Sequence, residues 1–215
     1  MTSCDEFWEA ELQRFVPDVA AALAKGSEYM CCAVCYVLAD LPFEYFCLLP
    51  KRWTEEPEVK AAVCRAGGFC HHHAWRLDKI QSQVCIATIY ADVLDSIPEG
   101  DATAEPCPVC RLQALAETAL LDEFERTLAD ASAREQYGRL FGLCYSHYRR
   151  ITARELDASV REAIRQAQRE RTEALIGLLH AHVEKNEVPA RWRRSEAENR
   201  APRWALLKMV GKEDL

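Results

Sequence analysis

A four-part cysteine and histidine pattern occurs twice along this chain of 215 residues, in the same order and at nearly one offset. "CAVC" places Cys32 and Cys35, and "CPVC" places Cys107 and Cys110 75 residues later. "GGFCHHH" places Cys70 and His73, and "FGLCYSH" places Cys144 and His147 74 residues later. The gap from CxxC to CxxH is 34 residues in the first copy and 33 in the second. Four matched positions at one offset read as a duplicated unit. The spacing is chemical as well as repetitive. Two residues between cysteines let both sulfurs meet one cation, and CxxH does the same with a sulfur and an imidazole nitrogen. Two such half-sites make a closed tetrahedral Cys3His shell. A gap of 33 or 34 residues fits a helix out and a shorter helix back, so each CxxC is expected to meet the CxxH of its own copy.

The remaining pattern is helical, and no stretch alternates at period two, so the fold class expected is all-α. Ser3 with Glu6 resembles a capping box that starts a first helix running to Lys25, bent at Pro17. "YVLADLPFEYFCLL" has a broad apolar face with Pro42 as a kink. Thr54 is the expected cap of the next helix, and Gly67-Gly68 its stop. "CHHHAWRLDKIQSQVCIATIYADVLDSI" reads as one long helix ending before Pro98. In the second copy, "CRLQALAETALLDEFERTLAD" reads as a helix and "SAREQYGRLFG" as a short one. A helix from Cys144 to Lys185 follows, with Leu156, Val160, Ile164, Ala167, Leu175, Leu178 and His182 on one face. "VPARWRRSEAENRAPR" reads as linker and "WALLKMVG" as a short amphipathic helix, in which Trp204, Leu207 and Val210 would dock on the core or a partner. This gives an N-terminal helix over 1–26, repeats over 27–98 and 99–185, and a linker with terminal helix over 186–215. Each half-site falls at a helix start, where free N–H groups and the helix dipole favour thiolates.

Compartment bears on the eleven cysteines. "MTSCDEFWEAELQ" has no basic segment followed by an apolar one, and no window holds 18 uninterrupted apolar residues, so neither signal peptide nor membrane span is expected. In the cytoplasm that this implies, clustered cysteines mean metal or redox chemistry rather than disulfides. Residues 149–215 carry 15 basic and 11 acidic side chains in a chain of net charge −7. The acids are interleaved with the bases, so that charge reads as a solvated helix face and not a nucleic-acid patch.

The predicted ligands are therefore Cys32, Cys35, Cys70, His73, Cys107, Cys110, Cys144 and His147, holding two zinc ions, with 4Fe–4S clusters as the alternative. Cys31 has Pro106 as its counterpart and is set aside as a ligand; Cys47, Cys64 and Cys85 read as small buried hydrophobes, and Cys4 as a mobile or capping thiol. His71 and His72 match Tyr145 and Ser146 in the second copy and read as surface or supporting residues. His180 and His182 suit the end of the long helix. A closed shell leaves no position for substrate, and no P-loop, GxGxxG, GxSxG or HExxH occurs, so no catalytic residues are predicted. The leading expectation is a non-enzymatic metal-stapled scaffold serving a protein partner, with a homodimer through the long C-terminal helix as one form. The rivals are an iron–sulfur or dithiol electron-transfer accessory protein and a metallochaperone. A dithiol role for "CPVC" lacks the βαβ setting of redox CxxC motifs.

The doubled CxxC, the Gly-Phe/Leu-Cys-x2-His segments at Gly68–His73 and Gly142–His147, and the ending from Trp204 to Gly211 resemble a family of functionally uncharacterised, cysteine-rich bacterial proteins common in anaerobes. The resemblance implies a cytoplasmic helical protein and no known reaction. Cys-Ala-Val-Cys departs from the Pro form seen at the second CxxC.

Overall fold

A computed structural model describes residues 4–97, 105–186 and 190–212. Among them are eleven α-helices, one 3-10 turn at Ala190–Arg193 and no strand. The helices are α1 (Cys4–Phe15), α2 (Val19–Ser27), α3 (Ala33–Glu55), α4 (Pro57–Arg65), α5 (His71–Ile80), α6 (Gln83–Ser96), α7 (Pro108–Leu128), α8 (Ala131–Tyr137), α9 (Tyr145–Thr152), α10 (Ala158–Glu184) and α11 (Glu196–Val210). The all-α expectation holds.

The chain forms two compact units that interleave along the sequence. The first comprises Met1–Asp18 and Asp40–Thr118, the second Val19–Ala39 and Ala119–Leu215. The boundaries read from the repeats follow the sequence, whereas the compact units divide both α3 and α7.

In the first unit the core is aromatic. Phe46 and Phe69 pack edge to face at 5.2 Å, and Tyr45 and Phe15 lie 5.6 Å apart. Arg52, 3% exposed, stacks over Phe15 and Tyr45. Its guanidinium donates to Glu11 Oε1 at 2.5 Å and Glu56 Oε2 at 2.9 Å, so this buried charge is paired on two sides. α4 and α5 each pack on α6. Pro50 lies inside α3 and has no N–H for the carbonyl of Phe46, four residues back. Gln81 Nε2 donates to that oxygen at 2.6 Å, which tethers the end of α5 to α3.

In the second unit α10 packs on α8, α9 and α11, burying Val160, Ile164 and Ala167. Leu175, Leu178 and His182 continue that stripe half-buried. Gly26 of α2 lies against the start of α3. A Cβ on it would sit 2.7 Å from the backbone oxygen of Ala33, the residue between Cys32 and the rest of its helix. Gly26→Ala should therefore push α3 away and destabilise this unit by about 1–3 kcal/mol. Chemical denaturation checks this, and an unchanged midpoint would mean that the close approach is not needed.

Several expected helices prove shorter. The first breaks at Pro17 into α1 and α2 rather than bending; Ser3 lies outside the described residues. The helix expected from Cys70 to Ile97 breaks at Gln81, where Ser82 accepts from Cys85 N and starts α6 afresh. The helix expected from Cys144 to Lys185 ends at Thr152 and restarts at Asp157, whose carboxylate accepts from Ser159 N. Thr54 does not cap α4; it lies in α3 and donates to Lys51 O, while Glu56 occupies the cap position before Pro57. Conversely, much of the expected linker is helix. Ser195 and Glu198 form a reciprocal capping box that starts α11. Pro202 frees the Glu198 carbonyl, and His182 Nδ1 meets it at 2.7 Å. His182 therefore serves a broken rung in α11 and not the end of its own helix.

α3 is long and apolar enough to cross a bilayer, but 56% of that stretch is buried inside the protein.

Candidate metal centres

All four half-sites are built the same way. Cys70 and Cys144 are the caps of α5 and α9, with extended backbone at ψ 165 and 166. Cys32 and Cys107 immediately precede α3 and α7. The partner residue three positions on, Cys35, His73, Cys110 or His147, falls in the first helical turn. Each half-site thus presents two donors at a helix N-terminus, among free N–H groups and the positive dipole end.

The turns leading in explain the rest of the motif. Gly68 and Gly142 have φ of 99 and 80, a region that side chains disfavour. The next residue, Phe69 or Leu143, is buried and pins the helix start to its core. In the first unit Glu105 N donates to Arg65 O and Arg65 Nε donates to Glu105, which fixes the approach to Cys107. Arg111, next to Cys110, lies 4.8 Å over the ring of Trp8. In the second unit Arg171 donates to the carbonyls of Leu140 and Gly138 and holds the turn before Gly142.

The half-sites pair across the repeats. Cys32, Cys35, Cys144 and His147 gather in the second unit, and Cys70, His73, Cys107 and Cys110 in the first. The expectation that each CxxC meets the CxxH of its own copy is overturned: each meets that of the other copy. The reason lies in where the unit boundaries cut the chain. The outgoing helices α3 and α7 leave their starting unit at Ala39 and Thr118, so the CxxH that follows each one is delivered to the opposite unit.

Within each group the donor atoms all lie within 4.8 Å of one another. In the second unit His147 Nδ1 is 3.4, 3.3 and 3.2 Å from the sulfurs of Cys32, Cys35 and Cys144, and Cys35 and Cys144 are 3.5 Å apart. In the first, His73 Nδ1 is 3.3, 3.6 and 3.3 Å from Cys70, Cys107 and Cys110, and Cys70 and Cys110 are 3.6 Å apart. A tetrahedral ion with bonds of about 2.3 Å to sulfur and about 2.0 Å to nitrogen sets edges of about 3.8 and about 3.5 Å. The distances just given come within about 0.3 Å of those edges, and both groups could hold a metal ion. Each imidazole turns Nδ1 inward.

The protonation of these groups fits the same end. Hydrogen bonds from Cys32 and Cys35, then His147, hold Cys144 far below the ordinary thiol value, while bonds to Cys144 and Cys32 and burial push Cys35 far up. In the first unit burial, then the charges of Cys107 and Cys70, pushes Cys110 to about 12. Burial pushes Cys107 up as well; against its own burial, Cys70 is held down by the backbone N–H of His73 and by its neighbouring thiols. Three sulfurs this close cannot all carry charge unaided. A divalent cation among them offsets the repulsion and takes all three as thiolates. Burial, with His72 and Arg76, lowers His73 to about 4, so its ring is neutral and free to ligate at neutral pH.

Lys208 on α11 adds a feature that sequence reasoning missed. It is 5% exposed, and its ammonium donates to Phe141 O at 3.1 Å. Burial pulls it down to about 8, against the attraction of Cys32 and Cys144. Three thiolates around a dication leave one net negative charge, which Lys208 is placed to balance. Lys208→Met should weaken metal binding in the second unit by about 10–100-fold, as removal of supporting groups around metal ligands typically does. Competition titration reads this, and equal affinities for variant and parent would remove Lys208 from the site. Nothing in the sequence sets this lysine apart from other helical ones.

The other candidates fall outside both groups. Cys31 is buried, Cys64 and Cys85 are half-buried, and Cys47 is exposed, contrary to the buried role expected for it. His71, His72 and His180 are exposed. No disulfide joins the described cysteines. The side chain of Cys4 lies outside the described residues. Fold and donor sets together define a helical protein with two Cys3His clusters. In comparisons with known proteins, the chain matches no family model, no curated protein and no solved structure.

Proposed function

We propose that the protein binds two zinc ions, one in each unit, and that they staple helix N-termini into a non-enzymatic scaffold for a protein partner in the reducing cytoplasm. The observation carrying this reading is the convergence of three sulfurs and one Nδ1, twice, with Nδ1 3.2 to 3.6 Å from each sulfur, as a single four-coordinate ion requires. A closed Cys3His shell is a structural zinc set and has no open position for substrate. A four-iron cluster interposes irons and sulfides between its ligands and needs them spread wider than these donors are. The repeated half-site, with the same cap geometry and the same positive-φ glycine in both copies, is what a duplicated unit would leave. The partner surface this reading favours is α11, where Leu206, Met209 and Val210 are exposed while Trp204 and Leu207 are half-buried.

Metal analysis and an absorption spectrum on protein purified without oxygen test the reading. Two zinc ions per chain and no visible band are expected. Iron with acid-labile sulfide and a broad visible band would establish the electron-transfer alternative instead. Metal-free protein with reversibly oxidising thiols would establish the dithiol alternative.

A further inference from the structure

The two clusters differ in one respect that their shared ligand set conceals. In the second unit all four ligands are buried: Cys32 and Cys35 are 0% exposed, Cys144 1% and His147 5%. In the first unit His73 and Cys107 are buried, Cys70 is half-buried and Cys110 is exposed. The outward edge of this cluster continues into accessible donors. His71 and His72 are exposed, and the ring of His72 lies 5.1 Å from that of His73. Ala114, one turn beyond Cys110, is also exposed, and its methyl group is too small to cover that thiol.

Access of this kind decides how fast a metal can leave. A closed four-coordinate ion dissociates unaided only slowly, because a bond must break before a new one forms. An incoming ligand that can reach the ion forms its bond first, through a five-coordinate state. In the first unit such a ligand can approach beside Cys110. In the second unit no ligand sulfur is open to water, so approach requires the helices to part.

We infer that the first-unit cluster is an exchangeable metal site, which passes its ion to thiolate-bearing acceptors across the Cys110 edge, while the second-unit cluster keeps its ion. The inference rests on the reading that each cluster holds one zinc ion. In the transfer an acceptor thiolate forms a bond to zinc as the Cys110–zinc bond breaks. Cys110 leaves as a thiolate and takes a proton from water. The remaining three bonds then pass to the acceptor in turn, and no electron changes hands. The chain would thus be a metal donor as well as a scaffold, with one ion of each kind.

The test is release of zinc from the full-length, zinc-loaded chain to the chromogenic chelator pyridylazoresorcinol. Two phases of equal amplitude are expected, one ion each, with rates at least 100-fold apart. Cys110→Ala should remove the fast phase and leave the slow one, and Cys35→Ala should remove the slow phase and leave the fast one. Mapping on the unmodified sequence covers the case of a variant that fails to fold. After one equivalent of zinc has left, an alkylating reagent should label Cys70, Cys107 and Cys110 before Cys32, Cys35 and Cys144. Two ions leaving at one rate, or labelling of the second set first, would overturn the inference while leaving the zinc reading intact. A chain that carries no zinc before chelator is added would overturn both.

Discussion

Replacing Cys35 and Cys144 together removes one metal ion per chain, whereas replacing Cys35 and Cys70 together removes both. This is the expected outcome of pairing across the repeats. Cys35 and Cys144 share one cluster, with sulfurs 3.5 Å apart, so the second substitution damages a site already lost. Cys35 and Cys70 belong to different clusters, and each substitution disables its own. Pairing within each repeat makes the opposite forecast: Cys35 with Cys70 would cost one ion and Cys35 with Cys144 two. Alanine variants dialysed against a weak chelator and analysed for bound metal separate the two topologies. The contrast between the double variants does not depend on which metal is bound.

Stripping both ions should leave the chain largely unfolded. A structural zinc in a small domain is associated with about 10–16 kcal/mol of apparent binding free energy at pH 7. The whole stability of an ordinary domain is about 5–15 kcal/mol. Here each ion would join two helix starts, and its loss would leave three sulfurs within 4.8 Å of one another that repel when ionised. Far-UV circular dichroism and a denaturant titration after exhaustive chelation should show reduced helix and a broad, uncooperative transition. Readdition of zinc should restore both. Unchanged helicity and an unchanged midpoint would show that the apolar cores suffice and that the metals serve something other than folding. The ligand thiols must shed their protons to bind, so affinity weakens as pH falls and acid hastens the stripping.

The eight cysteine and histidine positions that gather into the two groups were legible from the sequence because their signal is local. CxxC and CxxH fix donor spacing within one helical turn, and Gly68 and Gly142 mark the turns that lead in. Their pairing was not legible. It depends on where α3 and α7 pass from one unit to the other, and both helices read the same whichever unit receives their ends. The hidden helix breaks at Gln81 and Asp157 share a cause. A cap side chain captures backbone N–H groups in the middle of an apolar pattern that runs on unbroken, so periodicity passes over the break. Lys208 was invisible for another reason. Its role comes from burial beside Cys32 and Cys144, which lie far away in sequence. Pro202 did leave a signal, an orphaned Glu198 carbonyl, but its partner His182 sits on another helix.

The crossed pairing also sets the order in which a growing chain can mature. The first-unit cluster spans short intervals: Cys70 and Cys110 are 40 residues apart, and the site can close soon after Cys110 leaves the ribosome. The second-unit cluster joins Cys32 to His147, 115 residues away. Bringing those ends together costs about 1 kcal/mol more in loop entropy, but the larger consequence is time. Cys32 and Cys35 emerge early and remain unligated until a further hundred or so residues have been made, exposed to stray metals and oxidants throughout. If the second-unit cluster keeps its ion as inferred, the ion held most securely would be the one whose binding site waits longest to exist.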